Sequence, residues 1–101
     1  MTIVRCYLMN ATEGNGPTLR QALIDLAAML APLPGFEGGE LLADRLDADS
    51  YVFLERWATI ESQEAAGKAL GKDGFAAVMA CLDRRPEAWT LDAMVRFEAR
   101  R

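Results

Sequence analysis

The stretch Tyr51–Ala69, YVFLERWATIESQEAAGKA, decides how the rest of the chain is arranged. Its first seven residues, Tyr51–Trp57, are rich in aromatic and β-branched side chains and predict a strand. Alternation puts Tyr51, Phe53, Glu55 and Trp57 on one face, and Val52, Leu54 and Arg56 on the other. A strand with large apolar groups on both faces is covered on both sides. After a two-residue turn the pattern becomes helical. Thr59 stands at the N-cap position, and Glu61 and Glu64 follow where a helix dipole favours negative charge.

Toward the N-terminus, Phe36–Arg45 (FEGGELLADR) predicts a strand interrupted by Gly38–Gly39, a pair that suggests a bulge or a close backbone approach. The polar connection Leu46–Ser50 then makes a hairpin with the central strand. Before it, PLPG ends a helix over Thr18–Ala31, which opens at Pro17 and carries Leu19, Ala22, Leu23, Leu26, Ala27 and Leu30 on one stripe. Thr2–Met9 (TIVRCYLM) opens the chain as a strand, with Val4, Cys6 and Leu8 on one face and Ile3, Arg5, Tyr7 and Met9 on the other. Toward the C-terminus, Gly71–Gly74 (GKDG) breaks the second helix. It resumes with Phe75, Val78, Met79 and Leu82 on one stripe and stops before Pro86. The alternation of Trp89, Leu91, Ala93, Val95 and Phe97 predicts a last strand over Trp89–Phe97.

The order is β-α-β-β-α-β. Two helical crossovers give a four-stranded antiparallel sheet of α+β, ferredoxin-like type with both helices on one face. The first and third strands nevertheless have apolar residues for the opposite face. A second copy, sheet against sheet, is the economical cover. A homodimer is therefore expected from the patterning alone.

Composition narrows the function classes. A chain of 101 residues suits a single domain over 1–101. A net charge of −4 without any Lys/Arg cluster argues against nucleic acid as a partner. No apolar run approaches the roughly 20 residues of a membrane helix, and no signal-peptide pattern opens the chain, so a cytoplasmic location away from the membrane is expected. Cys6 and Cys81 lie far apart and suit buried positions in a reducing compartment. The chain has no histidine. That removes the commonest general base, metal ligand and proximal haem ligand, so no metal and no haem cofactor are expected.

PGFEGGELLAD, the strand ending Glu55-Arg56-Trp57, the acidic helix start TIESQEA and the broken segment GKDGFAAV together resemble the antibiotic biosynthesis monooxygenase family, whose members are dimeric α+β barrels. The resemblance spans Thr2 to about Phe97. It implies cofactor-independent oxygenation of quinols, anthrones and related aromatics in a pocket between sheet and helices, with a strand-end tryptophan nearby, here Trp57. Many relatives place a histidine in the second helix, where this chain has Ala65-Ala66-Gly67-Lys68. The haem-degrading branch is disfavoured in the same way, since its site includes an imidazole.

The catalytic group is left open by the sequence, and four residues are candidates for substrate binding. Trp57 is either a wall that stacks on a planar aromatic or a core tryptophan. Tyr7 and Tyr51 offer hydroxyls to a phenolate or quinone oxygen, or else sit at sheet edges or a dimer seam. Glu55 is a carboxylate in an apolar strand. Burial would raise its pKa toward the range of a base, unless it pairs with Arg5, Arg56 or Arg96. Tyr7, Phe36, Phe53, Trp57, Phe75 and Trp89 supply, in some subset, a slot for a small apolar or aromatic molecule. GNG at Gly14–Gly16 lacks the full phosphate-loop pattern, and Asp44, Asp47 and Asp49 suit turns better than a calcium loop. Three functions stand: a monooxygenase, a non-catalytic dimeric binding module, and an isomerase or cyclase.

Overall fold

The computed structural model describes residues 1–100, and its elements follow the expected order. They are β1 (Ile3–Asn10), α1 (Gly16–Leu30), β2 (Phe36–Ala43), β3 (Ser50–Trp57), α2 (Ile60–Met79) and β4 (Glu87–Asp92). The four strands form one sheet in the order β2-β3-β1-β4, with every neighbouring pair antiparallel. β3 and β1 are thus the two inner strands, as their apolar faces require.

Register sorts the side chains. Ile3, Arg5, Tyr7 and Met9 of β1 stand opposite Trp57, Glu55, Phe53 and Tyr51 of β3, and this shared face receives the helices. The apolar stripe of α1, with Leu19, Leu23, Leu26 and Leu30 buried, packs over β2 and β3. Thr59 caps α2 as expected. Its hydroxyl accepts from the Ser62 backbone N–H at 3.1 Å, and the Ser62 hydroxyl accepts from the Thr59 N–H at 3.2 Å. α2 is broken at Gly71, whose φ of +60° and ψ of −168° lie outside the helical region. The glycine pair in β2 does both things that such a pair can do. The register shifts between Phe36 and Gly38, and a Cβ on Gly39 would lie 2.0 Å from the carbonyl oxygen of Leu54.

The loop before α1 also finds its explanation. Asp49 accepts from the backbone N–H groups of Gly14 (3.1 Å) and Gly16 (2.9 Å), so the chain's own carboxylate occupies the place where a phosphate would sit. Asp44 and Asp47 accept from backbone N–H groups two residues on, as turn residues do.

Two expectations need correction. The last strand covers Glu87–Asp92, not Trp89–Phe97, because its partner β1 begins at Ile3, opposite Asp92. Beyond that pair only the Ala93 N–H to Thr2 carbonyl bond remains, and Val95 and Phe97 are exposed. The stripe of the second helix is shorter than expected as well. Met79 is exposed, and Leu82 lies past the helix end in a bridge to Ala11. No helix among the described residues is long and apolar enough to cross a membrane.

Candidate functional site

On the helix-facing side, Glu55 sits at the centre of the sheet with Arg5 opposite it on β1 and Gly39 opposite it on β2. It is 5% exposed. A carboxylate so placed needs a donor, and the Trp57 indole N–H supplies one, 2.9 Å from Glu55 Oε1. Residues two apart on a strand share a face, which makes this bond possible. Trp57 is itself 1% exposed and meets the edge of the Phe36 ring with centroids 5.0 Å apart. No buried side-chain oxygen among the described residues lacks a partner. Since Glu55 is bonded through Oε1, its second oxygen keeps contact with accessible space. Burial pushes the carboxyl above the usual carboxylate range, against the smaller opposing effects of the Trp57 bond and the Arg5 charge.

Next to this pair, the Arg5 Nε–H donates to the Tyr7 hydroxyl at 3.2 Å, and the guanidinium lies 5.0 Å from the centre of the Tyr7 ring. A second guanidinium nitrogen donates to Thr90 Oγ1 on β4. Tyr7 is half-buried, and burial together with the nearby Glu55 charge raises its phenol pKa, with Arg5 opposing. It therefore stays a neutral hydroxyl at neutral pH. The helix-side positions of β4, Ala88, Thr90 and Asp92, are exposed, so the Arg5–Tyr7 shelf opens to solvent at that edge.

Three of the four residues expected at the site are thus brought together: Tyr7, Glu55 and Trp57. Tyr51 shares their face but stands four residues along β3 from Glu55, about 13 Å at the usual strand rise. Trp89 leaves the aromatic set, because it pairs with Cys6 and therefore lies on the opposite face of the sheet. Glu55 makes no ion pair with Arg5, Arg56 or Arg96; Arg96 instead meets Glu98 at 3.1 Å. An apolar cleft of about 200 Å³ lies between α1 and the β2–β3 edge, lined by Leu23, Ile24, Ala27, Phe36, Leu41 and Phe53 among others. Phe36 also meets Trp57, Phe53 is the register partner of Tyr7, and the cleft reaches Gly39, the partner of Glu55 on β2.

Residues 1–80 match the family described as antibiotic biosynthesis monooxygenase. The chain belongs to that family. Solved structures share the fold over nearly the whole length. SnoaB, a cofactor-independent oxygenase from Streptomyces nogalater, is 20% identical with a TM-score of 0.86, over 97% of this chain and 98% of SnoaB. A protein of Chloroflexus aurantiacus J-10-fl that carries the same family name is 21% identical, with a TM-score of 0.81 and the same coverage. Rv0793 from Mycobacterium tuberculosis is 14% identical with a TM-score of 0.83, over 97% of this chain and all of its own. At such identities the likeness establishes the fold. No curated protein matches the chain by sequence. Membership of the monooxygenase family supports a monooxygenase-type function without naming a substrate.

Sequence reasoning named Arg5 only as one of three possible ion-pair partners of Glu55, and passed over Thr90. Arg5 did carry a signal, as the one charge on the Ile3–Tyr7–Met9 face. Thr90 carried none, since its place beside Arg5 depends on the β1–β4 register.

Proposed function

We propose that the protein is a cofactor-independent monooxygenase of a small aromatic, quinol or anthrone-like substrate, acting as a homodimer in the cytoplasm. The observation that carries this reading is the buried Glu55 carboxyl, held through one oxygen by Trp57 and with its pKa raised by burial. A carboxylate of raised pKa is a stronger base, and Glu55 takes the place of the missing imidazole. It accepts a proton from the substrate carbon through its second oxygen. The resulting carbanion is electron-rich enough to reduce O2 itself, and no bound redox group is required. The two one-electron species combine to a carbon-bound peroxide anion, which takes the proton back from Glu55 to become the hydroperoxide and then loses water. For an anthrone the sum is one CH2 and one O2 giving one ketone and one water. Trp57 holds the base, Tyr7 offers a neutral O–H to a substrate oxygen, and Tyr51 bounds the far end of the same face. Burial of Glu55 and Trp57 shields the base from bulk water, and a substrate seated on the Arg5–Tyr7 shelf closes the open edge.

The apolar outer face of the sheet supports the homodimer, and the two free cysteines suit a reducing compartment. Oxygen consumption with a panel of anthrones and quinols tests the reaction. Wild-type protein should consume one O2 per ketone formed, and Glu55→Gln should lose about 10²–10⁴-fold in turnover. Binding of the panel without oxygen uptake would instead favour a non-catalytic binding module.

A further inference from the structure

We propose that Arg5 is a catalytic anion-holding residue: its guanidinium binds the oxygen on which charge collects when the aromatic substrate is deprotonated. The inference rests on the reading of the site given above and adds to it the second half of a proton abstraction. When Glu55 removes a proton from carbon, the charge left behind delocalises onto the conjugated oxygen. A base alone does not stabilise that oxyanion. A cation fixed a short distance from the base does.

Arg5 has the features of such a group. It stands opposite Glu55 in the β1–β3 register, on the helix-facing side. It makes no ion pair within 4.0 Å among the described residues, so its charge is not committed to a carboxylate. It is nevertheless held in place: Nε by the Tyr7 hydroxyl, a terminal nitrogen by Thr90, and its central carbon 5.0 Å from the centre of the Tyr7 ring. These bonds engage neutral oxygens only, and the other terminal nitrogen has no protein partner in the described bonding. A half-buried guanidinium fixed by neutral acceptors keeps its attraction for an anion and loses little freedom on binding one. Its position beside the exposed helix-side face of β4 leaves an entry for the ligand.

A stable aromatic oxyanion tests this without turnover. The probe is 2,4-dinitro-1-naphtholate, ionised throughout the neutral range, and its control is the neutral methyl ether of the same compound. Calorimetric titration of the full-length protein at one neutral pH should show the naphtholate binding about tenfold more tightly than the ether, as one charge-assisted hydrogen bond provides. Arg5→Gln should abolish that preference while keeping the affinity for the ether, and Arg5→Lys should retain part of it. Should the Gln variant not fold, Thr90→Val carries the test, since loosening the guanidinium should lower the preference without removing the charge. Equal binding of both compounds by wild-type protein overturns the assignment, as does a preference that survives in Arg5→Gln. Binding of neither compound overturns the aromatic-substrate reading itself.

Discussion

Glu55 is the residue whose chemistry follows most directly from its place. Burial raises its pKa, so folding favours the protonated form. The associated stabilisation is complete below the ordinary carboxylate value and is lost as pH rises through the raised one. Glu55→Gln is neutral at every pH, and its amide oxygen can still accept the Trp57 N–H. It should melt close to wild type in acid and above wild type once Glu55 is ionised in the folded protein. Trp57→Phe should act in the opposite direction. It removes the donor that lowers the Glu55 pKa, so the fall in stability should move to higher pH and the acid limb of turnover with it. The lost bond and the smaller ring should together cost about 1–3 kcal/mol. Thermal unfolding of the three proteins across roughly pH 4–8 checks both directions; parallel curves would show that Glu55 does not titrate there. Trp57, at 1% exposure, is a core residue whose indole N–H also holds the Glu55 carboxyl. Of the two roles the sequence left open, this burial fits the core one, and the bond to Glu55 joins residues that alternation already places on one face.

Elements differ in how far the sequence exposes them. β3, α1 and the start of α2 were legible because alternation, helical spacing and capping chemistry are local. The end of β4 was not, because Val95 and Phe97 keep the alternation after the partner strand has run out. The bulge and the break in α2 were visible as glycines, but their different reasons appear only in the packing. At Gly39 the backbone of β3 fills the space where a Cβ would stand. At Gly71 no atom lies within 4 Å of that position, and the positive φ is the constraint. With ψ extended as well, the position is one that glycine alone adopts readily, so Gly71→Ala should cost about 1–3 kcal/mol of backbone strain. Gly39→Ala should cost more than about 3 kcal/mol or prevent folding, since β2 must separate from β3. Urea denaturation of both variants ranks them. A Gly39→Ala protein as stable as Gly71→Ala would show that β2 shifts register freely.

The whole molecule has one well-covered sheet face and one that it does not cover. The second face carries Val4, Cys6 and Leu8 on β1, Val52 and Leu54 on β3, Leu42 on β2, and Trp89 and Leu91 on β4. Trp89 is 46% exposed and Leu91 48%, and the inner-strand residues are only half-buried by their neighbours. An apolar surface of this breadth, on the order of several hundred Å², is what an association face looks like. Arg56 and Glu40 share the face and supply a polar margin. Self-association is favoured over a foreign partner because a two-fold pairing sets the same apolar patch against itself. Sedimentation equilibrium at micromolar concentration should return twice the 11.1 kDa chain mass. Leu54→Asp, which places a charge at the middle of the face on an inner strand, should give monomer or aggregate, while the helix-side core is untouched. Trp89 reports the same event optically: its emission should shift to the red on dilution through the dissociation range, whereas the Trp57 contribution stays constant. A wild-type protein that sediments at the mass of one chain would leave this face to another partner and remove the homodimer.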